Sequence, residues 1–473
     1  MNTARRITSN FLSLATSEVI SKVLQLIIFI YMARVLGKED FGVFSFGLAF
    51  AFLIVITADF GLSTLLIREI SRNKKSASKY LSNAFVAKIL LSIITFLAAY
   101  LFLNILEYSS EVRIIAYIML LFTVVQSFTD LFSSIFKAFE RMHYDAIIKI
   151  LRMFILIIAI IYLLKNWYGL FASSLAFLFT ELFVLIITAL VVYSKFIRLS
   201  FEFDYGFSKK LLKKSALFCL SLVFTSLFMF IGSIVLSKIR STTEVGIYSA
   251  AANIMIALVF IPMMYGNAIY PVISRFYITS KKSLKFAYER SFKYMLMLGL
   301  PISSGIFIFS DQIISIFYGI EYSEASIVLA IISWHLFLRF LNVVSGFTLS
   351  SINRQGSRAF SQGIAALSNI ILNLILIFLY GLIGAAIAAV ITEIIFFFTY
   401  IYFIVKYGLG IKFIRLFIRP VIATVIMLFS LSFIENLVIA IIFGALIYFT
   451  TLFIIGTIDK QDMIIFNKVI KNI

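Results

Sequence analysis

Residues Phe11 to Met32 read FLSLATSEVISKVLQLIIFIYM. The run is long enough to cross the roughly 30 Å of a bilayer's hydrocarbon, which takes about 20 apolar residues. Yet Glu18 and Lys22 lie in its middle, with Ser13, Ser17, Ser21 and Gln25 around them. At about 100° per residue these positions share one side of a helix, with Glu18 and Lys22 a turn apart. Each charge at a span centre costs about 2.5–3.5 kcal/mol on insertion scales. The stripe must therefore turn away from lipid, either as the lining of a hydrated cavity or as a buried ion pair between helices.

The rest of the chain extends this pattern. Fourteen such apolar stretches run from Phe11–Met32 to Leu437–Gly456. With 62% hydrophobic and 13% charged residues and a mean hydropathy of +1.07, the chain lacks the polar surface of a water-soluble globule. The runs are continuous rather than alternating, which excludes a β-barrel. The expected fold is an all-α polytopic membrane protein with 14 transmembrane helices. The net charge of +19 is concentrated in alternate loops, such as Arg68–Lys79, Lys195–Lys214 with Arg198 among its bases, Arg275–Lys293 and Lys406–Arg419. Between them, Asp311 to Glu324 holds three acids and no base. This positive-inside pattern predicts a multi-pass protein of the cell membrane with both termini cytoplasmic. The basic loops read as topology signals and anionic-lipid contacts, not as a nucleic-acid interface.

Cofactor chemistry has little support. Cys219 is the single cysteine, so no intramolecular disulfide can form, and His143 and His335 are the only histidines. The chain has no Cys/His cluster, no His-Glu-x-x-His and no Gly-Lys-Ser/Thr phosphate loop, so neither a metal nor a nucleotide cofactor is expected. The first span runs into Ala33-Arg34 without a small-residue cleavage site, as in a signal anchor.

Two internal matches organise the spans. Phe41-Gly42-Val43-Phe44-Ser45 is echoed by Val245-Gly246-Ile247-Tyr248-Ser249. Tyr168-Gly169-Leu170 precedes Thr180-Glu181 at the spacing with which Tyr380-Gly381-Leu382 precedes Thr392-Glu393. The matches predict two six-helix repeats of like orientation, one of the repeat geometries of secondary transporters. They divide the chain into a lobe at 1–200, a lobe at 201–410, and two additional helices with a tail at 411–473.

Further polar residues sit inside the spans. Asp59 could titrate, pair with Lys22 or Arg34, or cap a kink. Asp130 joins Gln126 on the fourth span, and proton or sodium coupling by Asp59 or Asp130 competes with structural pairing. Glu181 and Glu393 fit either internal ties or ion coupling. Lys88, Lys137, Lys149 and Arg152 are expected to snorkel at the cytoplasmic edge. Arg339 has no acid within a turn and needs a partner from another helix or an anionic ligand. Asn369 and Asn373 have the spacing of interhelical hydrogen bonding. Gly266, Pro271, Pro301 and Gly305 are candidate bends.

Ala33-Arg34-Val35-Leu36-Gly37, Phe41 to Ser45, Ala58-Asp59-Phe60-Gly61-Leu62 and Ile67-Arg68-Glu69-Ile70-Ser71-Arg72 together resemble the polysaccharide-type flippase family. That family belongs to the superfamily of multidrug, oligosaccharidyl-lipid and polysaccharide exporters. The resemblance implies two lobes around a central cavity that opens alternately to each face. The cargo would be a polyprenyl-phosphate- or diphosphate-linked oligosaccharide moved outward for cell-surface polysaccharide synthesis. It also makes Arg34 and Asp59 cavity-mouth groups. On this reading Lys22 and Arg339 attract phosphate, Glu18 lies beside them, and Gln25, Asn253, Gln362 and Asn369 hydrogen-bond sugar hydroxyls. The expected partners are the lipid-linked oligosaccharide, membrane lipids and H+ or Na+, with the protein acting as a monomer. The alternatives are a multidrug or metabolite cation antiporter of the same superfamily and a membrane-embedded glycan polymerase or ligase. Asp311 to Glu324, the longest outer segment, is too short for a folded catalytic domain, so no enzyme is expected.

Overall fold

The computed structural model describes residues 3–197, 202–459 and 462, with side chains from residue 13 onward apart from 217, 221 and 415. Arg198 of the basic loops and the tail beyond 462 lie outside the described residues. In chain order the helices are α1 (Thr3–Ile54), α2 (Ile56–Asp59), α3 (Leu62–Arg72), α4 (Ala77–Ile105), α5 (Ser110–Ala138), α6 (Met142–Lys165) and α7 (Gly169–Lys195). They continue with α8 (Tyr205–Ile239), α9 (Thr242–Thr279), α10 (Lys281–Ile308), α11 (Ser310–Tyr318), α12 (Glu324–Ser351), α13 (Gln355–Lys406), α14 (Phe413–Leu431) and α15 (Leu437–Ile454). No strand occurs among the described residues. Eleven helices there are long and apolar enough to span a membrane, and Leu416–Leu431 is a shorter apolar one. The expected all-helical membrane fold is what the chain adopts.

Helices α1 and α13 each cover 52 residues, and each is two helices meeting at a kink. Each holds one non-helical residue: Gly37 (φ 77, ψ 173) in α1 and Gly381 (φ 59, ψ −134) in α13. A residue with a Cβ is strained in these conformations. The break at Gly381 frees backbone groups that α8 and α9 then satisfy. Arg240 donates to the carbonyls of Phe378 at 3.0 Å and Ile377 at 3.4 Å, and Glu244 accepts from the Leu382 N–H at 3.0 Å.

The helices form two compact units, Met1–Ala257 with Ala366–Ala388, and Leu258–Ala365 with Ala389–Ile473. In the first, α1 packs on α5, α6 and α8, and α5 on α7. Its core includes Leu62, Leu65 and Leu66 of α3, Leu81 of α4, Leu131, Phe132 and Phe136 of α5, and Val184 of α7. The two echoing pentapeptides meet here. A Cβ on Gly42 would collide with the Thr242 carbonyl, and one on Gly246 with the Lys38 carbonyl, its next neighbour being the Gly42 Cα at 3.0 Å. Helices α1 and α9 thus touch backbone to backbone.

In the second unit α10 packs along α12, and α14 lies against both α10 and α15. Met297, Phe309, Met427, Leu431, Tyr448 and Leu452 form its C-terminal core. A polar clasp closes it. Buried Asp462 accepts from Arg290 at 2.7 Å, Lys293 at 2.6 Å and the Tyr294 hydroxyl at 2.8 Å. Asp459 pairs with Arg290 at 2.6 Å. Each aspartate's backbone N–H also donates to the other's carboxylate at 2.9 Å, the reciprocal arrangement of a capping box. Of the candidate bends, Gly266 has a packing reason, since the Phe347 ring fills the space a Cβ would take. Pro271 and Pro301 lie inside α9 and α10.

Candidate functional site

Glu18, Ser21, Lys22 and Gln25 of α1 face a cavity of about 270 Å³ inside the first unit. Gln126 and Asp130 of α5, Lys149 and Arg152 of α6, and Thr180 and Glu181 of α7 complete its polar wall, and Phe29, Phe52, Phe122 and Phe177 its apolar one. The helical spacing of the first span puts its four polar residues on this side. Of the two readings of that stripe, Glu18 and Lys22 line a cavity. The volume is near the lower end of ligand pockets, about 300–1,000 Å³.

Most charges in the wall are already matched. Arg152 Nε lies 2.9 Å from Glu181, which is fully buried and also accepts from Thr129 Oγ1 at 2.7 Å. Lys149 contacts Glu18 at 3.3 Å and Asp145 at 3.6 Å, and Lys137 reaches Asp145 at 3.7 Å. Two charges stand apart. Among the described residues Lys22 donates only to the neutral Gln25 Oε1, at 3.2 Å. Asp130 is exposed to the cavity, and no ion pair or hydrogen bond is made by its carboxylate among the described residues.

The expectation that Lys88, Lys149 and Arg152 snorkel needs correction. The Lys88 side chain is fully buried, bonded to Asp59 at 2.7 Å and to the Ser127 carbonyl at 2.6 Å. Asp59 accepts from Ser63 as well, at 2.7 Å. Its partner is therefore Lys88, not Lys22 or Arg34, and it lies outside the cavity wall. Lys149 and Arg152 are ion-paired wall residues. The spacing Asp145, Lys149, Arg152 marks one face of a helix and was the available signal.

The second unit holds a parallel pair. Arg339 Nη1 lies 3.4 Å from fully buried Glu393, and Asn342 donates to the Glu393 carbonyl at 3.1 Å. Arg339 has thus found an acid on another helix. Glu181 and Glu393 occupy matched places in the sequence, and each is held by an arginine of its own unit. His335 Nδ1 lies 3.4 Å from the Ala389 carbonyl. Of the remaining candidates, Arg34 is exposed on α1, Asn253 and Gln362 are half-buried on α9 and α13, and Asn369 is buried on α13. None of these four lines the cavity of the first unit. Asn373 donates to the Asn369 carbonyl within α13 at 2.8 Å, while its own Oδ1 sits where a Cβ on Gly232 of α8 would reach it, at 3.0 Å.

The sequence matches the family described as "Polysaccharide biosynthesis protein" over residues 7–277, more than half the chain, and the MatE family over residues 218–375. A curated relative from Haloferax volcanii, named "Probable low-salt glycan biosynthesis flippase Agl15", is 25% identical over 366 residues, covering 76% of this chain and 75% of that protein. Among solved structures, "Lipid II flippase MurJ, inward closed conformation" superposes with a TM-score of 0.78 at 19% identity, over 96% of this chain and 99% of that one. An inward-facing "multidrug resistance MATE family transporter of the MOP superfamily" gives a TM-score of 0.70 at 17% identity, over 82% and 95%. At such identities these two likenesses establish the shared fold.

Proposed function

Because this chain belongs to the polysaccharide biosynthesis protein family, we propose that it is a flippase carrying polyprenyl-phosphate- or diphosphate-linked oligosaccharides from the cytoplasmic to the outer leaflet by alternating access. The observation that carries this reading is a charge-bearing cavity inside an otherwise apolar helical unit. A saccharide phosphate cannot cross hydrocarbon unaided, since each unpaired polar group costs several kcal/mol to bury. The cavity supplies polar partners in place of water: Lys22 for phosphate oxygens, with Gln25 and Gln126 for hydroxyls. Its size suits the phosphate end of the headgroup with the first sugar, while the polyprenyl tail stays in lipid. Arg34, Asn253, Gln362 and Asn369 then serve later stages of the path. Arg339 already has a carboxylate partner and is a weaker phosphate ligand than Lys22.

The topology follows the same reading. Counting the arms of α1 and α13 on either side of Gly37 and Gly381 separately, and including α14, gives fourteen crossings. The sequence repeat, with Glu181 and Glu393 each bonded to an arginine, supports two six-span halves at 1–200 and 201–410 and an appended pair at 411–473. The basic loops set both termini in the cytoplasm. Of the four acids considered for ion coupling, Asp59, Glu181 and Glu393 are engaged by cations, which leaves Asp130 as the coupling group. An unmatched carboxylate in the cavity also suits an organic cation, so a multidrug antiporter is the second reading.

The test is reconstitution in vesicles with a fluorescent lipid-linked oligosaccharide and an impermeant quencher. Wild-type protein should deplete the inner-leaflet signal well above protein-free vesicles, and Lys22→Gln should slow it by at least about tenfold, the loss of one charge-assisted hydrogen bond. Leaflet exchange equal to that of empty vesicles for several sugars would remove the proposal. Efflux of a cationic dye by the same preparation would favour the antiporter.

A further inference from the structure

The cavity wall of the first unit carries three acids, Glu18, Asp130 and Glu181, against three bases, Lys22, Lys149 and Arg152. It is neutral as built. The groups behind it balance too, Asp145 between Lys137 and Lys149, and Asp59 against Lys88. A cavity meant to attract an anion by charge alone would hold an excess of bases. Here the one cation without a carboxylate contact, Lys22, shares its cavity with the one carboxylate without a cation contact, Asp130. An anionic headgroup on Lys22 would leave the cavity net negative, with Asp130 facing the new charge inside a low-dielectric bundle.

We infer that the headgroup binds together with one monovalent cation held at Asp130, so that cargo and cation occupy this cavity at the same time and cross in the same direction. The inference rests on the flippase reading and assigns the sign of its coupling. The nearby groups leave Asp130 as the acceptor. Arg152 of α6 is committed to Glu181 of α7. Lys88 of α4 is committed to Asp59 of α2, Lys137 of α5 to Asp145, and Lys149 of α6 to Glu18 and Asp145. Protonation or sodium binding at Asp130 removes the repulsion that an anion would meet. By linkage, the cargo must strengthen cation binding by the same factor. An antiporter in which cation and cargo displace one another requires the opposite sign.

The experiment uses the full-length protein in nanodiscs and farnesyl diphosphate as the probe, titrated by calorimetry. One arm varies pH without sodium; the other exchanges choline for sodium at constant ionic strength, which keeps screening fixed. Affinity should rise at least about fivefold with whichever cation is used, a typical coupling strength. If that cation is the proton, heats in buffers of different ionisation enthalpy should report uptake of about one proton per probe, as linkage requires. Asp130→Asn should bind the probe in a cation-independent way, and Asp130→Glu should restore the dependence. Among the described residues Asp130 has no partner to orphan, so both variants should fold, with thermal unfolding as the check. Probe binding in the wild type that ignores both cations, that weakens as cation rises, or that keeps its cation dependence in Asp130→Asn would overturn the coupling and leave the headgroup reading standing. No probe binding in either wild type or Asp130→Asn would overturn both.

Discussion

Lys88 shows how a charge enters a membrane helix without facing lipid. Its ammonium is satisfied by the Asp59 carboxylate and a backbone carbonyl, both from other helices. Removing one member of such a pair strands the other. Lys88→Met should therefore cost about 3–5 kcal/mol, seen as a lower unfolding midpoint in micelles, and the double variant Asp59→Asn/Lys88→Met should recover much of it. Asp130→Asn, which strands nothing, should stay within about 0.5 kcal/mol of wild type in the same measurement. The sequence already marked these residues as polar positions inside apolar runs, because insertion cost makes any such residue conspicuous. It could not assign partners. Asp59 and Lys88 are separated by 29 residues and Glu18 and Lys149 by 131, and only packing of α4 and α6 against their neighbours brings them together. For Arg339 the absence of an acid within a turn called for a partner from another helix or an anionic ligand, and Glu393 is such a partner.

The helical elements were legible from hydropathy. Tyr380-Gly381 reads as a join between spans, and α13 is two helices that meet at a kink there, with Gly381 out of line and the break capped on both sides by Arg240 and Glu244. Gly381→Ala must hold a backbone conformation that L side chains avoid, at about 1–3 kcal/mol. The added Cβ would also lie 3.0 Å from Glu244. The expected result is a lower unfolding midpoint and faster hydrogen exchange at the ends of α13 that flank the break. Gly42 and Gly246 make a sharper case, because the obstacle there is backbone that no rotamer change can move. Gly42→Ala should push α1 and α9 apart and lose more stability than Gly305→Ala, whose Cβ would meet nothing within 4 Å. Equal midpoints for the two would contradict the close crossing. The echo between the pentapeptides was visible in sequence; that they touch was not, since similarity carries no information about contact.

On the scale of the whole molecule, the last two helices are fastened to α10 by apolar packing and by the clasp of Asp459 and Asp462. Burial alone would raise the Asp459 carboxyl, but its hydrogen bond with Arg290 and the attraction between them hold it below the ordinary carboxylate range. A group depressed on folding contributes stability above its unfolded pKa, about 3.9, and loses it as pH falls through the lower folded value. Because the Asp459 side chain is 42% exposed, solvent screening limits that contribution to about 1 kcal/mol at most. Acidification below that range should raise hydrogen exchange at 456–459 and 462 and at the start of α10, and Asp459→Asn should show the raised exchange already at neutral pH. The clasp also bears on synthesis. A ribosome delivers Arg290 and Lys293 long before their counter-charges, so α10 must wait, its basic end unanswered, until some 170 further residues have emerged. A nonsense codon just after α15 would keep every apolar helix and still leave those bases without their aspartates, a defect that protein quality control could read as an unfinished chain.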